Sequence, residues 1–396
     1  MAEFEVHLNA ELATLRDNSL FRELCSVGSA PGAMIRIGDQ DYLNFSSNDY
    51  LGLANHPVLK EAAQTAIEEF GAGAGSARLI CGNQRIHVEL EESIAAFKGV
   101  AAALVFNTGY AAALGAISSL LTKSDVLIID KLVHACVVDA AKLTGCKLRI
   151  YRHNDLEDLE RKLKWARKKH PSAQILIATE SVFSMDGDIA PLLNIVELKE
   201  RYGAWLMVDE AHATGLFGSH RRGIVEEFEL SDRVEIQMAT LGKAVGASGG
   251  AICGSRSLID LLINKARPFI YSTAPPPAAV AAAKAGIQII AGSEGETRRQ
   301  RLWAMVDHLK NMFLAVGKPP GLVRAPIIPF ICGESDAALS MSSKLFEQGI
   351  MVPAIRYPTV RRNEARLRFT ITAEHGLEHL EQLQTVLTAK EEGADA

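Results

Sequence analysis

Three polar residues close to the ends of two apolar runs have the types and spacing that Schiff-base chemistry needs. Asp209 ends the run 205–209, His212 follows three positions later, and Lys243 comes just after the run 235–240. If both runs are strands of one open α/β sheet, these side chains meet at its carboxyl edge, where such sheets bind ligands. Burial there would lower the pKa of the lysine, so its neutral amine could act as a nucleophile.

The residues around this lysine would suit a pyridine cofactor that carries one phosphate. Asp209 could keep a ring nitrogen protonated, which makes the ring an electron sink. His212 could hydrogen-bond a phenolic oxygen, and His134 could stack on the ring. In the segment 107–110, Gly109 lies between a predicted strand and a helix, where N–H groups can approach a phosphate. Taken singly, Asp209 could instead cap a helix, His212 could be structural and 107–110 could be an ordinary turn.

Two glycine-rich segments do not match nucleotide-binding loops. The segment 71–76 lacks the spacing G-x-G-x-x-G and follows a helical pattern rather than a strand. Lys243 is followed by Ala244 instead of Ser or Thr, and no glycine stands five positions before Gly242. A nicotinamide-dependent dehydrogenase and a phosphate-binding-loop enzyme are therefore disfavoured.

Four motifs together resemble those of a known enzyme family. They are Phe45–Leu53, Ser184–Asp188, Val208–His212 and Thr240–Lys243. On these motifs the chain resembles, over nearly its whole length, the α-oxoamine synthases that depend on pyridoxal 5′-phosphate (PLP). The resemblance implies a PLP-dependent acyltransferase of the aspartate-aminotransferase fold (fold type I). This is an α/β fold with a central, mostly parallel sheet and a smaller C-terminal α+β domain.

The resemblance also implies roles for individual residues. Lys243 would hold the cofactor as a Schiff base, with His134, Asp209 and His212 as the other catalytic residues. The cofactor-binding residues would be Gly109, Tyr110, His134, Ser184, Asp209, His212, Thr240, Lys243 and, from the second subunit of a homodimer, Thr273. The substrate-binding residues would be Arg22, Asn48, His134, Arg356, Thr359 and Arg368. The planar fork of Arg368 suits a bidentate pair with an α-carboxylate.

A C-terminal motif indicates the substrates. The segments 354–360 and 365–370 are similar to the branch that condenses L-alanine with a pimeloyl thioester in biotin biosynthesis. The acyl group would arrive on coenzyme A or on an acyl carrier protein. Sister enzymes that join glycine to an acetyl or succinyl group, or serine to a long acyl chain, are the alternatives, as is a catalytically inactive interaction module. The segment 361–364 departs from the Pro-x-Gly expected there, so acyl recognition stays open.

Alternating apolar runs and helical patterns predict the elements that position these residues. Strands are expected at 34–37, 42–45, 104–106, 126–130, 175–179, 205–209, 235–240, 327–331 and 365–372, and helices at 3–24, 59–70, 155–170 and after 277. We expect an N-terminal helix with small strands over 1–50, a large PLP-binding domain over 51–285, a small domain over 286–390 and a tail over 391–396.

The composition is that of an ordinary globular protein. Of 396 residues, 48% are hydrophobic and 22% charged, and 42 Lys and Arg against 47 Asp and Glu give a net charge of −5. The mild acidity argues against a nucleic-acid partner. The six cysteines form no C-x-x-C pair, which argues against a disulfide framework or a metal site. With no signal peptide and no apolar run of about 18 residues, we expect a cytoplasmic protein without a membrane partner.

Overall fold

The computed structural model describes residues 2–388, which form three sheets and the helices that cover them. The strands are β1 (Met34–Ile37), β2 (Gln40–Asn44), β3 (Ala102–Phe106), β4 (Val126–Asp130), β5 (Lys147–Tyr151), β6 (Ile175–Glu180), β7 (Trp205–Asp209), β8 (Ile236–Thr240), β9 (Gly250–Gly254), β10 (Ile327–Gly333), β11 (Ile350–Met351), β12 (Ala354–Ile355) and β13 (Ala365–Thr370). The helices are α1 (Ala2–Asp17), α2 (Pro57–Phe70), α3 (Arg85–Lys98), α4 (Gly109–Leu120), α5 (Ala135–Thr144), α6 (Leu156–Lys169), α7 (Leu192–Arg201), α8 (Ile224–Glu227), α9 (Arg256–Lys265), α10 (Arg267–Ile270), α11 (Pro277–Ala291), α12 (Ser293–Ala315), α13 (Ser335–Glu347) and α14 (Leu377–Thr388).

The central sheet has the strand order β3-β9-β8-β7-β6-β4-β5. Strands β5, β4, β6, β7 and β8 are parallel, while β9 runs antiparallel to both β8 and β3. Every residue of β3, β4 and β6 is buried, as expected of strands covered by helices on both faces. The expected α/β fold with a mostly parallel sheet is therefore confirmed.

Side-chain caps begin the helices that leave the carboxyl edge of this sheet. Thr108 Oγ1 accepts from the Ala111 N–H at 3.0 Å to start α4, and His134 Nδ1 accepts from the Cys136 N–H at 3.3 Å to start α5. Asp155 caps α6 in the same way. Each cap satisfies one of the unpaired N–H groups of a first turn, which fixes the helix N-termini beside the strand ends.

Two smaller sheets join the N-terminal and C-terminal parts of the chain. The strands β10, β13 and β12 form an antiparallel sheet that carries Arg368. The hairpin β1–β2 pairs with β11 in parallel through β2. The ring of Tyr42 on β2 stacks on the ring of Phe346 on α13, with centroids 4.4 Å apart.

The structure corrects the expected first helix. It ends at Asp17 instead of Leu24, since Ser19 adopts a left-handed φ of 54°. The Leu20 N–H turns back to the Leu15 oxygen at 2.8 Å, and Leu24 is fully exposed.

Two strands of the central sheet were not expected from the sequence. The strand β9 is framed by glycines, and β5 is rich in basic residues, so neither reads as a typical apolar strand. The proposed division near residue 285 falls inside α11, which packs against α2 and α3; the domain limits stay predictions. The predicted tail over 391–396 lies outside the described residues. Within 2–388, no helix has the length and apolar character to cross a membrane.

Candidate active site

Two carboxylates and one lysine meet at the carboxyl edge of the central sheet. Glu180 ends β6 and lies opposite Asp209, which ends β7. Lys243 follows β8 by three residues, in a turn that the Gly246 N–H closes on the Lys243 oxygen at 2.8 Å. Both carboxylate residues are buried. Burying the negative charges of the two carboxylates is costly unless a positive charge compensates them. Lys243 supplies that positive charge at this edge of the sheet.

The protonation of this cluster follows from burial. Burial raises the pKa of Glu180 to about 8, and the charge of Asp209 adds to this shift while Lys243 opposes it. Burial also raises the pKa of Asp209, against the attraction of Lys243. Burial lowers the pKa of Lys243 to about 8, although both carboxylates oppose the change. A neutral amine is therefore accessible close to neutral pH.

His212 contacts this lysine directly. Nε2 of His212 lies 2.7 Å from Nζ of Lys243, and Nδ1 lies 2.5 Å from the hydroxyl of Tyr50. Burial, followed by the positive charge of Lys243, lowers the pKa of His212 well below its ordinary value. The imidazole is therefore neutral, with one ring nitrogen as a donor and the other as an acceptor.

His134 is the second imidazole near the cluster. As the cap of α5 it is held at the strand edge, and burial lowers its pKa while the charge of Asp209 opposes that shift. Its Nδ1 accepts the Cys136 N–H of the cap, so Nε2 is the ring nitrogen that can contact a ligand.

The amino end of α4 forms a cradle lined by backbone. A Cβ at Gly109 would come within 3.2 Å of Met238 and 3.7 Å of Thr240 Oγ1, and one at Gly250 would meet Gly109 Cα at 2.5 Å. A side chain would fill this space, and its absence leaves the N–H groups of the first turn of α4 accessible to an anion. The Tyr110 hydroxyl donates to Asp139 at 2.7 Å.

Thr273 lies beside this cradle. Its main-chain oxygen accepts from Asn107 Nδ2 at 3.0 Å, and it bridges to Ala77. This places the loop 271–277 at the same edge as Gly109.

Arg368 forms the opposite wall of the site. From β13, its Nε donates to the main-chain oxygen of Ser184 at 2.6 Å, and both Nη atoms lie 3.2 Å from Oδ1 of Asn48. Ser184 N–H in turn donates to Glu180 at 3.2 Å. Asn48 and Ser184 are thus joined by hydrogen bonds to Arg368, and His212 and Lys243 are joined to Asn48 through Tyr50. Asp209 lies opposite Glu180 in the sheet.

The remaining substrate-side candidates make no hydrogen bond to this cluster among the described residues. Arg22 and Thr359 are exposed, and Arg356 donates to the main-chain oxygen of Ser19. Within residues 2–388, no hydrogen bond joins these three to Lys243 or Arg368. Their assignment stays a prediction.

Two residues of the cluster were not selected from the sequence. Tyr50 lies in the first quoted motif, but its contact with His212 spans 162 positions. Glu180 directly follows the strand predicted at 175–179, and its Oε1 is buried without a hydrogen-bond partner among the described residues. The signal in the sequence that could have identified Glu180 is a carboxylate directly after an apolar run.

The family with the description aminotransferase class I and II matches residues 40–387. The chain belongs to this family. An 8-amino-7-oxononanoate synthase from Thermoanaerobacter pseudethanolicus is 44% identical over 374 residues, which cover 94% of each chain. Other curated relatives with that name are 42% identical over 94–99% of this chain.

Solved structures of α-oxoamine synthases share the fold. A serine palmitoyltransferase that contains PLP aligns with a TM-score of 0.89 and 29% identity over 96% of each chain. An 8-amino-7-oxononanoate synthase from Francisella tularensis aligns with a TM-score of 0.75 and 28% identity over 87% of this chain and 96% of that one. The resemblance to PLP-dependent α-oxoamine synthases, and with it the class of acyltransferases, is confirmed.

Proposed function

We propose that this protein is an 8-amino-7-oxononanoate synthase that condenses L-alanine with a pimeloyl thioester. The observation that carries the proposal is the contact of Lys243 with His212 beside Asp209 and Arg368, in a chain 44% identical to a relative of that name. These groups supply a base, an acid–base partner and a carboxylate anchor within one site. That set matches the chemistry of carbon–carbon bond formation at an amino acid.

The site fits PLP on three features of its own. The half-buried Lys243 amine suits an aldehyde, the buried Asp209 carboxylate suits a pyridinium nitrogen, and the cradle at Gly109 suits a phosphate. We assign the cofactor contacts to Gly109, Tyr110, His134, Ser184, Asp209, His212, Thr240, Lys243 and Thr273 of a second subunit. When bound, PLP supplies a protonated ring that stabilises negative charge at the Cα atom of the amino acid.

The chain's own residues bind the amino acid and move its proton. Arg368 receives the carboxylate of L-alanine through its fork, with Asn48 beside it. The neutral amine of Lys243 takes the proton from Cα, because its lowered pKa makes this form available near pH 8. His134 donates toward the thioester carbonyl oxygen from the strand edge. General acid–base assistance of this kind contributes roughly 10²–10⁴-fold in rate.

The atoms balance in one decarboxylative condensation. A bond forms between Cα of L-alanine and the thioester carbonyl carbon, and the C–S bond breaks to release a thiolate, which takes a proton from solvent. The former carboxylate of L-alanine leaves as carbon dioxide, and Lys243 returns a proton to the same carbon. Arg22, Arg356 and Thr359 would serve the acyl group, on the side of the site where Arg356 reaches Ser19.

A serine palmitoyltransferase activity is the second candidate. The solved serine palmitoyltransferase aligns with a TM-score of 0.89, against 0.75 for the Francisella synthase. Sequence identity favours the synthase, at 44% against 29%. The two reactions share the Lys243 chemistry and differ in the amino acid and the acyl chain, so substrate tests separate them.

A cytoplasmic homodimer with shared active sites is part of this proposal. The Thr273 loop lies beside the Gly109 cradle of its own chain, so the contribution of Thr273 from a second subunit rests on the resemblance to the family. The acyl group would come from coenzyme A or from an acyl carrier protein.

The test is a titration of the visible absorption band of the PLP-loaded protein with L-alanine, glycine and L-serine. We expect the strongest response to L-alanine, and release of thiol and 8-amino-7-oxononanoate when pimeloyl-CoA is added. Lys243→Ala is the inactive control, and Lys164→Ala on α6 is the matched control. A response confined to L-serine, with turnover of palmitoyl-CoA only, would replace this proposal by the second candidate. Turnover of glycine alone would point to another sister enzyme.

A further inference from the structure

Tyr50 is a buried residue of the site that the proposed reaction does not use. It lies between β2 and α2, and its main chain is held on both sides. Its N–H donates to the Asn48 oxygen at 2.8 Å, and its oxygen accepts from the Ala373 N–H at 2.8 Å. The ring is fully buried, so the position of the hydroxyl is fixed by packing.

The hydroxyl of Tyr50 has two partners within reach. Nδ1 of His212 lies 2.5 Å away, and Oδ1 of Asn48 lies 3.4 Å away. A hydroxyl has one proton to donate and two lone pairs. It can therefore donate to Nδ1, or it can accept from Nδ1 and donate to Asn48.

The other nitrogen of His212 faces a group whose protonation changes. Nε2 lies 2.7 Å from Nζ of Lys243, and in the proposed reaction this amine takes and returns a proton. A charged ammonium has only donors, so it needs Nε2 as an acceptor. A neutral amine offers a lone pair, so it can accept from an Nε2–H.

The neutral imidazole carries a single proton, so it can answer the lone pair of the neutral amine only by moving that proton from Nδ1 to Nε2. When Nε2 accepts, the proton is on Nδ1, and Tyr50 must accept it. When Nε2 donates, Nδ1 is bare, and Tyr50 must donate to it. The group at Nδ1 must therefore accept a hydrogen bond in one tautomer and donate one in the other. Among common side-chain groups, only a hydroxyl does both by turning its O–H bond, without rearrangement of the buried side chains.

We propose that Tyr50 is a positioning residue whose hydroxyl turns between Nδ1 of His212 and Oδ1 of Asn48, so that His212 faces Lys243 as an acceptor or as a donor. The Tyr50 hydroxyl thereby keeps both nitrogens of His212 paired whether the Lys243 amine is charged or neutral. The consequence for catalysis rests on the proposed function, but the tautomer change itself does not. The other titratable groups that face this pair are Asp209, Glu180, His134, Arg368 and Cys136.

The test follows the tautomer of His212 by NMR in the full chain labelled with ¹⁵N-histidine. The His212 signals are identified by their loss in His212→Asn. Spectra of the PLP-free protein are recorded from pH 6.5 to pH 9.5 for the wild type, Tyr50→Phe and Tyr42→Phe. Tyr42 is a matched control, because its buried hydroxyl bonds only to Gln40 at 3.2 Å among the described residues.

We expect the wild type and Tyr42→Phe to change from the Nδ1–H to the Nε2–H tautomer as pH rises, and Tyr50→Phe to keep one tautomer throughout. In PLP-loaded protein, Tyr50→Phe should lower kcat about tenfold, as when the residue that orients a functional histidine is removed. The KM for L-alanine should stay within twofold of the wild type.

Two outcomes would overturn the inference. One is a wild-type His212 with the same tautomer at both ends of the pH range, which decides the matter even if Tyr50→Phe does not fold. The other is a tautomer change in Tyr50→Phe equal to that of the wild type. If the change occurs as expected but no L-alanine is turned over, the proposed function fails and the role of Tyr50 stands.

Discussion

Nε of Arg368 donates to the main-chain oxygen of Ser184 at 2.6 Å, although the two residues are 184 positions apart. Ser184 follows β6 of the central sheet, and Arg368 lies on β13 of a smaller sheet. This bond therefore joins the two sheets at the site and orients the guanidinium plane. The two Nη atoms, both on Asn48 Oδ1, form the edge that a carboxylate would meet.

Arg368→Lys should weaken the binding of L-alanine. Lysine keeps the charge but loses the fork and the bond to Ser184. Hydrogen bonds to charged groups contribute about 1.5–3 kcal/mol, so kcat/KM for L-alanine should fall about 10- to 10²-fold, mainly through KM. Steady-state kinetics measures this, with Arg361→Lys on the exposed loop as the control. An unchanged KM for L-alanine would remove Arg368 from the carboxylate site.

The rate at which the PLP-free protein captures PLP should rise with pH. Only the neutral amine of Lys243 attacks the aldehyde, and burial lowers the pKa of that amine to about 8. The rate should therefore be low at pH 6.5, rise through about 8 and level off above it. Stopped-flow absorption after mixing with PLP measures the midpoint. A midpoint close to 10.5, the ordinary value for lysine, would show that the surroundings of Lys243 do not favour its neutral form.

Glu180→Gln should move the same midpoint downward. The pKa of Glu180 is itself raised to about 8, so the carboxyl group is partly ionised at this midpoint, and its charge favours the ammonium form of Lys243. A neutral amide removes that charge and lowers the pKa of the lysine. Glu200→Gln, an exposed residue paired with Arg233, is the control and should leave the midpoint in place. An upward shift in Glu180→Gln would mean that the carboxyl group acts on Lys243 in some other way.

Much of the site could be predicted because chemistry at a sheet edge leaves a local signal. Asp209 and Lys243 each follow an apolar run, and the rule that ligands bind at strand ends brings them together. The contact between Tyr50 and His212 left no such signal, since it depends on how a loop after β2 packs against the turn after β7. The strand β9 was missed for a related reason, because its pairing with both β3 and β8 and not its composition makes it a strand.

A buried ion pair supports the turn that carries Asp209 and His212. Lys98 Nζ lies 2.5 Å from Glu210 Oε2 and donates to the Arg222 oxygen at 2.6 Å, and both side chains are fully buried. Removing one member of such a pair leaves a buried charge and costs about 3–5 kcal/mol. Lys98→Met should therefore lower the free energy of unfolding by about that amount, measured by urea denaturation.

The double variant Lys98→Met/Glu210→Gln tests the pairing. It removes both charges, so it should be more stable than Lys98→Met alone. Lys199→Met, which breaks a pair with the less buried Glu235, is the comparison and should cost less. A double variant less stable than Lys98→Met would show that the Glu210 carboxylate is stabilised without Lys98, through the charge-assisted bond that it accepts from the Val225 N–H.

His153 should stabilise the fold in a way that depends on pH. Nδ1 lies 3.0 Å from Asp130 and Nε2 lies 2.8 Å from Asp188. Burial alone would lower the pKa of His153, but its hydrogen bonds and ion pairs with both aspartates raise it to about 10. A pKa raised above the unfolded value gives stability that is complete below pH 6.5 and is lost as pH rises through about 10.

His153→Gln should therefore lower the free energy of unfolding by about 3 kcal/mol at pH 6, within the range for breaking a partly buried pair. The difference from the wild type should shrink steadily in urea denaturations at pH 8 and pH 10, because the wild-type imidazole then loses its charge. The exposed His308→Gln should show no such trend, and a difference for His153→Gln that is constant from pH 6 to pH 10 would mean that His153 is held as a neutral ring.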